Sequence, residues 1–344
     1  MPALPSTAPV GTTSHGQKPR VIPGAFVVLA ALAAPVGAQE ISLALPLDCT
    51  LGEDCYINDY VDRDPGAGLR DHACGYVTRD GHNGTDFALK TLAQMEEGVA
   101  VLAAAAGQVI GVRDVLPDIS VTDPAAPDIS GRECGNGVNI SHPGGWSTQY
   151  CHLKRGSVTV SAGDSVSAGT VLGEVGLSGL TTYPHVHMSL RRGGAIVDPF
   201  LPDMDSTCST TPATTLWQDP PDYTPGGLIS AGFATAPVSL ADAAAGITVP
   251  ERLDARDTPA LVAWAYGYAG QEGDVIAIDI TAPDGAIWTS EQAILGPTGL
   301  KLFLRFAGRR LTETNRQEGT FTATVTHLRG ATVLAEESAA ITLD

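Results

Sequence analysis

The chain has 344 residues, which is enough for two domains that each bury their own core, and this excludes a small disulfide-stabilised peptide. Its formal net charge of −18 argues against nucleic acid as a partner, and a soluble protein kept dispersed by its own charge accounts for the acidity. Hydrophobic residues make up 43% of the chain, and 39 glycines and 24 prolines with few aromatic residues predict a mostly β protein.

Residues 1–38 have the features of a signal peptide. Lys18 and Arg20 precede an apolar run, and Val36-Gly37-Ala38 gives the small-x-small pattern that signal peptidase accepts. The apolar run is shorter than the roughly 20 residues that a membrane-spanning helix needs, which disfavours a retained anchor. We therefore expect export to the periplasm or the medium, a mature chain that begins near Gln39, and no stable membrane anchor.

All six cysteines follow this leader, and an even number of cysteines in an exported chain suggests disulfide bonds. Sequence alone leaves many pairings open. Cys134 and Cys151 lie at nearly equal distance on either side of a predicted hairpin at residues 142–145, so they can face each other across it. The simplest remaining pairs are Cys49 with Cys55 and Cys74 with Cys208.

Residues 39–208 hold every cysteine and the clustered histidines, and we interpret them as the first domain. Alternating apolar segments predict strands at residues 99–104, 108–112, 138–140 and 171–175. Short strands with much glycine predict a compact antiparallel sheet or partial barrel. Residues 113–133 are acidic and rich in proline, so we expect an exposed insertion loop there.

The remaining chain predicts a second domain. Residues 209–227 are rich in Thr, Pro and Asp, which is typical of a linker. Residues 228–344 contain evenly spaced alternating segments and a strong turn signal at Pro283-Asp284-Gly285, which together predict an immunoglobulin-like β-sandwich. No protein partner of this domain can be named from its sequence.

His82-Asn83-Gly84-Thr85-Asp86 is the first candidate metal-binding element. It places a histidine and a carboxylate four residues apart, and the glycine between them lets the chain bend so that both reach one ion. Catalytic zinc sites take three such protein ligands and leave a fourth position for water. Alone, the string is equally compatible with a turn followed by a strand.

Pro184-His185-Val186-His187 is the second element. Side chains two residues apart on a strand point to the same face, so His185 and His187 project into one space while Val186 and Met188 point into the core. The alternative is a surface strand with two solvated histidines.

Tyr150-Cys151-His152-Leu153 is the third element. By the same alternation we expect Tyr150 and His152 to share one face and Cys151 to lie behind it, away from the site. Four of the eight histidines fall in these three elements. The others are interpreted as leader or surface residues, and His327 as a satisfied strand residue: His15, His72, His142 and His327.

The order of these elements is specific. H-x-G-x-D is followed by Tyr-x-His-Leu, then by a glycine-punctuated segment at residues 160–169, and then by a loop that ends in His-x-His. Over residues 81–190 this order resembles the lysostaphin-like or LytM-type zinc endopeptidases of bacterial cell walls. The resemblance implies a β-rich metallopeptidase domain with its core at residues 81–190.

The resemblance also implies which residues act. By position, the family's zinc ligands correspond to His82, Asp86 and His187, and its two further active-site histidines correspond to His152 and His185. The implied cofactor is Zn²⁺, and the implied substrate is the peptide part of peptidoglycan, cut within a stem or a cross-bridge.

The sequence departs from the family pattern at three places. Met188 stands where the family usually has an aromatic residue, Ser189 where it usually has a glutamate, and residues 180–183 replace the usual Ser-Thr-Gly approach to Pro-His. These departures bear on substrate fit rather than on metal binding, because all five polar side chains are present.

The implied chemistry is hydrolysis, with zinc lowering the pKa of water to about 7 and polarising the scissile carbonyl. His152 and His185 would orient or deprotonate the water, stabilise the oxyanion and return a proton to the leaving amine. One alternative is a non-catalytic LytM-type module that binds and regulates another cell-wall hydrolase. Another is a structural zinc site, which three ligands with two spare histidines disfavour.

Overall fold

The computed structural model describes residues 40–297 and 300–344, together with Gly11 and Gly16. The predicted signal peptide at residues 1–38 therefore lies outside the described residues, apart from these two glycines. Within the described part, no helix is both long and apolar enough to cross a membrane.

Strands dominate the described chain, which confirms the predicted mostly β class. The strands are β1 (Cys55–Asp59), β2 (Thr85–Leu89), β3 (Ala100–Leu102), β4 (Gly107–Arg113), β5 (Asn136–His142), β6 (Trp146–Leu153), β7 (Ser165–Val166), β8 (Val171–Glu174), β9 (His185–Arg192), β10 (Ala195–Ile196), β11 (Gly227–Ala234), β12 (Arg252–Leu253), β13 (Ala260–Gly270), β14 (Val275–Thr281), β15 (Ile287–Ile294), β16 (Leu300–Arg310), β17 (Gly319–Arg329) and β18 (Thr332–Leu343). The α-helices of the described chain are α1 (Leu92–Glu97) and α2 (Leu240–Ala245).

The main sheet of the first half is antiparallel with the order β1-β2-β9-β6-β5-β4-β7, β10 pairs with β9, and β3 and β8 form a separate two-stranded sheet. Over the described residues the sheet is an open path, so it does not close into a barrel. Its central strands alternate as predicted, with Phe87, Val186 and Met188 buried in the core below the sheet. This alternation leaves the opposite face of β2, β6 and β9 free to carry polar side chains.

All six cysteines are paired, in the three predicted combinations: Cys49–Cys55, Cys74–Cys208 and Cys134–Cys151. The third bond joins the two strands of the β5–β6 hairpin. The short turn at Pro143–Gly145 connects these strands, and its glycines have φ values of 76° and 78°, which favour a residue without a Cβ.

Residues from Gly227 onward form two sheets with the orders β11-β13-β16 and β12-β18-β17-β14-β15. Side chains from both sheets share one hydrophobic core that includes Ala263, Ile278, Phe303 and Phe321. Gly285, in the predicted turn, has a φ of 83° and connects β14 to β15. The β-sandwich predicted for the second half is therefore present.

Strand β13 is buried on both faces. Leu261, Ala263 and Ala265 face the interior of the sandwich, whereas Trp264 and Tyr266 belong to the core of the first half. The near-continuous apolar run of β13 is typical of a strand covered on both sides. The alternating segments of residues 228–344 predict strands in this half, but they do not predict this second contact.

The sandwich and the first half belong to one compact unit, residues 38–344. The predicted linker, residues 209–227, is packed against the first half, because Trp217 forms a parallel bridge with Leu43 and the Tyr223 hydroxyl donates to Asp71 Oδ2 at 2.8 Å. The boundaries proposed for the two domains fall inside this unit.

Candidate metal centre

Three side chains converge on the face of the sheet that lies opposite the core. Asp86 on β2 and His187 on β9 are register partners, and His82 lies in the turn before β2. His187 Nδ1 is 2.7 Å from Asp86 Oδ1, and His82 Nε2 is 3.1 Å from the same oxygen and 3.0 Å from His187 Nδ1. Two imidazole nitrogens and one carboxylate oxygen are thus mutual neighbours.

Each histidine is oriented by its other ring nitrogen. His82 Nδ1 lies 2.7 Å from the Tyr60 carbonyl oxygen, to which it can only donate, and this leaves Nε2 as the nitrogen with a lone pair. His187 Nε2 lies 3.1 Å from both Asn83 Oδ1 and Ser189 Oγ, so Nδ1 takes the corresponding role there. Such outer hydrogen bonds fix the tautomer and ring orientation of metal-ligating histidines.

Position 84 has no room for a side chain, so this arrangement requires a glycine there. A Cβ at this position would lie 2.6 Å from His187 Nε2 and 2.7 Å from the Met188 carbonyl oxygen. Gly84, which is predicted to let the chain bend, therefore also leaves the space that the His187 ring occupies.

The second oxygen of Asp86 is held by Arg79 and Tyr183. Arg79 Nη1 donates to Asp86 Oδ2 at 2.7 Å, and the Tyr183 hydroxyl donates to it at 3.1 Å. Burial alone would raise the pKa of Asp86, but the nearby imidazoles, including His82, hold that pKa well below its ordinary value. Asp86 is therefore an anion whose Oδ1 faces the two histidines.

His152 and His185 lie beside these three residues, with ring centroids 4.7 Å apart. His152 Nδ1 is 2.7 Å from the Ser178 carbonyl oxygen, and His185 Nδ1 is 3.0 Å from the Tyr183 carbonyl oxygen. In both rings Nε2 is thereby the unprotonated nitrogen. His185 Nε2 is buried, lies 3.5 Å from Asp86 Oδ2 and has no hydrogen-bond partner among the described residues.

Burial sets the charge of His152, His185 and His187. It lowers the pKa of His152 well below the usual value, and repulsion from His185 and His187 lowers it further. Burial also lowers the pKa of His185 and of His187, although Asp86 opposes the shift in each case. These imidazoles are neutral at neutral pH, the form that ligates metals and accepts protons.

The predicted orientation of the third element is wrong in one respect. Tyr150 lies opposite Met188 and is buried in the core, whereas Cys151 lies opposite His187 and lines the cleft. His152 has a φ of 66°, and β6 shifts register against β5 at this point, so the alternation is broken and His152 turns toward the site. The Cys134–Cys151 bond is therefore part of the cleft wall.

The prediction of surface positions for the other histidines is also wrong where it can be checked. His72 and His142 are buried, whereas His327 lies on β17, as predicted for a strand residue, with its Nε2 2.9 Å from Asp274 Oδ2. His72 stacks on Phe200 with a centroid distance of 4.7 Å. His142 has a partner on each ring nitrogen, the carbonyl oxygen of Ala106 and the hydroxyl of Thr148. His15 lies outside the described residues.

The site opens into a polar cleft of about 290 Å³. Its wall includes Arg79, Glu133, Gln149, Leu180 and Arg191 together with His82, His152 and His187. Arg79 is not predicted from the sequence, and Tyr183 and Ser189 stand out there only as departures from a family pattern. A possible signal for Tyr183 was its position two residues before His185, but Arg79 had none.

The donor set fits zinc. The only groups among the described residues that could hold a metal ion are His82 with Asp86 and His187, and a second group at Cys49, Asp54 and Cys55, whose two cysteines form a disulfide bond. Imidazole nitrogen and carboxylate oxygen are zinc ligands, and three of them leave one position of a tetrahedron for a substrate or water. His185 Nε2 lies beside Asp86 Oδ2, outside this ligand set. The assignment of His82, Asp86 and His187 as ligands remains a prediction that this geometry supports.

Comparison with known proteins identifies one domain of the chain. The profile of Peptidase family M23 matches residues 80–199. Protease LasA of Pseudomonas aeruginosa is 40% identical over 68 residues, which cover 17% of this chain and 16% of LasA. The DD-carboxypeptidase/endopeptidase Mpg of Neisseria meningitidis is 42% identical over 65 residues, which cover 19% of this chain and 14% of Mpg. The chain thus spans only a small part of the length of these relatives.

A solved structure is similar over a larger share. The catalytic domain of the prophage-encoded M23 protein EnpA from Enterococcus faecalis is 25% identical, covers 44% of this chain and 92% of its own, and aligns with a TM-score of 0.31. The matched segment, residues 80–199, contains all five of the converging polar side chains. Residues 80–199 of the chain are a Peptidase family M23 domain, and the lysostaphin-like resemblance predicted from its motifs is confirmed.

Proposed function

We propose that the protein is a zinc-dependent endopeptidase that hydrolyses peptide bonds in peptidoglycan stems or cross-bridges. His82, Asp86 and His187 would be the metal ligands, and His152 and His185 the catalytic residues. The observation that carries the proposal is the convergence of three ligand atoms within 3.1 Å of one another, beside two imidazoles whose Nε2 atoms are unprotonated.

Zinc held by these ligands would lower the pKa of water to about 7 and polarise the scissile carbonyl. His152 and His185 would supply the proton transfers. Each has Nδ1 fixed on a backbone carbonyl, so Nε2 is the atom that accepts a proton from water and later returns it to the leaving amine. Once protonated, the same nitrogen can donate to the oxyanion.

The substrate class rests on the relatives. One is a protease and another is named a DD-carboxypeptidase/endopeptidase, both of bacteria. The cleft is open, polar and lined by Arg79, Arg191 and Glu133, which suits an extended peptide with charged groups better than an apolar ligand. Three disulfide bonds fit the oxidising environment of a periplasmic or secreted protein.

Zinc content and digestion of purified cell walls test the proposal. We expect the wild type to bind about one zinc per chain and to release peptide fragments, and the Asp86→Ala variant to lose both properties. Asp274→Ala is the control, because it removes an equally buried carboxylate from the sandwich. It should keep its zinc and its activity per folded molecule.

Two other outcomes would contradict the proposal. Zinc without hydrolysis of any wall preparation would indicate a structural metal site. If neither protein digests walls but both stimulate a separate wall hydrolase, the domain is a non-catalytic regulator, the alternative raised by the sequence.

A further inference from the structure

A chain of charged groups joins the β-sandwich to the metal centre. Lys301 on β16 donates through Nζ to Asp59 Oδ1 and, at 2.7 Å, to the Thr78 carbonyl oxygen. Arg79 Nη1 donates to Asp59 Oδ2 and to Asp86 Oδ2. Cation, carboxylate, cation and carboxylate therefore alternate from the sandwich to the proposed metal ligand.

The strand register explains why Asp59 reaches this position. Asp59 is paired with Asp86 across β1 and β2, and the register shifts between Ile57 and Asp59. Such bulges re-aim side chains next to functional sites. Here the shift lets Asn58 contribute as well, since its Nδ2 lies 3.2 Å from Asp59 Oδ2 and 2.8 Å from the Tyr183 hydroxyl.

A second path therefore runs beside the first. Asn58 donates to the Tyr183 hydroxyl, and that hydroxyl donates to Asp86 Oδ2. Both donors that hold the outer oxygen of Asp86 are thus tied to Asp59, Arg79 directly and Tyr183 through Asn58. The position of Asp59 therefore bears on the orientation of Asp86.

The balance of charges around Asp59 explains the role of Lys301. Asp59 and Asp86 are both buried, with side chains 2% and 0% exposed, and they share the guanidinium of Arg79. Lys301 is the second cation in contact with Asp59, and its side chain is 50% exposed. Without Lys301, Arg79 would have to neutralise two buried carboxylates, and its bond to Asp86 would weaken in favour of Asp59.

We propose that Lys301 is a positioning residue of the metal centre, through which the β-sandwich holds Asp86 in its ligating orientation by way of Asp59 and Arg79. The inference rests on the proposed zinc site and gives the sandwich a role in it. Lys301 lies outside the proposed ligand set and outside the cleft wall, so its effect passes through the two carboxylates and Arg79.

The direction in which zinc affinity changes when Lys301 is removed distinguishes a positioning role from simple electrostatic repulsion between Lys301 and the metal ion. Removing a cation near the site would, by Coulomb attraction alone, tighten the binding of a dication. Loss of an outer hydrogen-bonded partner instead weakens metal binding, typically by roughly 10- to 100-fold for a partner of the ligand itself. We expect Lys301→Met, one partner further away, to weaken zinc binding roughly 3- to 10-fold.

Competition between the full chain and a chromophoric chelator for zinc alone measures this. Lys301→Arg should restore affinity to within about twofold, because it keeps the cation in place. Lys90→Met is the matched control, since Lys90 pairs with Glu337 of the sandwich at 3.8 Å and has no part in the chain of contacts to Asp86. It should leave zinc affinity unchanged even if it lowers the melting temperature as much as Lys301→Met does.

Asp59→Asn tests the path. In this background Lys301→Met should have no further effect on zinc affinity, because Lys301 acts through Asp59. Additive effects, or zinc affinity that is unchanged or tighter in Lys301→Met, would overturn the inference while leaving a zinc-binding wild type intact. A wild type that binds no zinc would overturn the proposed function and this inference together.

Discussion

The two halves of the molecule each contain a buried histidine–aspartate pair, and only one of these pairs belongs to the proposed metal centre. In the sandwich, His327 Nε2 lies 2.9 Å from Asp274 Oδ2, and Arg329 donates to both oxygens of the same carboxylate. In the M23 domain, Asp86 keeps one oxygen for two imidazole nitrogens and gives the other to Arg79 and Tyr183.

The difference lies in the surroundings of the carboxylate. Asp274 is saturated by one histidine, one guanidinium and the backbone N–H of Gln271. Within the described chain, His327 Nδ1 is buried without a partner, just as His185 Nε2 is, so an unpartnered nitrogen does not by itself indicate a site. Convergence of a second imidazole on the same oxygen distinguishes the proposed metal centre from the pair in the sandwich.

Replacing the histidine of each pair should give the largest contrast. We expect His187→Gln to weaken zinc binding roughly 10³-fold, because it removes one of the three proposed ligands. His327→Gln should leave zinc affinity within about twofold and lower stability by about 1–2 kcal/mol, because the Asp274–Arg329 contact persists. Zinc titration and thermal unfolding measure the two effects. Equal zinc loss in both variants would show that the comparison is mistaken.

Removal of the imidazoles of His152 and His185, which lie outside the proposed ligand set, should distinguish zinc binding from catalysis. His152→Ala and His185→Ala should each keep zinc and lower kcat roughly 10²- to 10³-fold, because a proton acceptor is lost. His142→Ala is a control from the neighbouring strand, as both of its ring nitrogens already have protein partners. A loss of zinc from the His152 variant would place this residue among the ligands instead.

Weakening the outer contact of His187 should have a moderate effect. Ser189→Ala removes one of the two groups near His187 Nε2 and leaves Asn83, so we expect zinc affinity to fall roughly 3- to 10-fold. The double variant with Asn83→Ala should lose more than either single variant. No change in the double variant would mean that the β2–β9 register alone orients the ring.

The pH dependence of stability should show the smallest effect. Burial lowers the pKa of His327, so the unfolded chain binds a proton more readily below about pH 6.5, and acidification costs stability until the pH passes the folded pKa. His327→Gln removes this contribution. Between about pH 7 and 5.5 we expect the variant to lose less stability than the wild type, measured by denaturant unfolding. If the stability of the wild type and of the variant changed equally with pH, the lowered pKa of His327 would be contradicted.

Much of the site could be predicted because it depends on local spacing. His82 and Asp86 flank a glycine, and His185 and His187 alternate on one strand, so their types and intervals carry the signal. Partners supplied by the backbone could not be predicted, since the carbonyls of Tyr60 and Ser178 have no sequence signature. The break in alternation at His152, which leaves Tyr150 in the core and Cys151 in the cleft wall, escaped prediction because a positive φ at a non-glycine residue depends on tertiary contacts.

The fold shows the same limit. Alternation predicted the strands of the sandwich and of the M23 domain, and hairpin symmetry predicted the Cys134–Cys151 bond. The contact between the halves was not predicted, because a continuous apolar strand such as β13 looks the same whether it is covered by one partner or by two. Lys301 and Asp59 are 242 residues apart, so nothing in their spacing indicated an ion pair.

The doubly covered strand β13 has a consequence for how such proteins diverge. A fragment that ended before the sandwich would expose the apolar surface that Trp264 and Tyr266 cover, and would be prone to aggregate. A β-sandwich from another protein could not replace the native one without matching substitutions in both halves, where β13 contacts the first half. The two halves should therefore be inherited and recombined together.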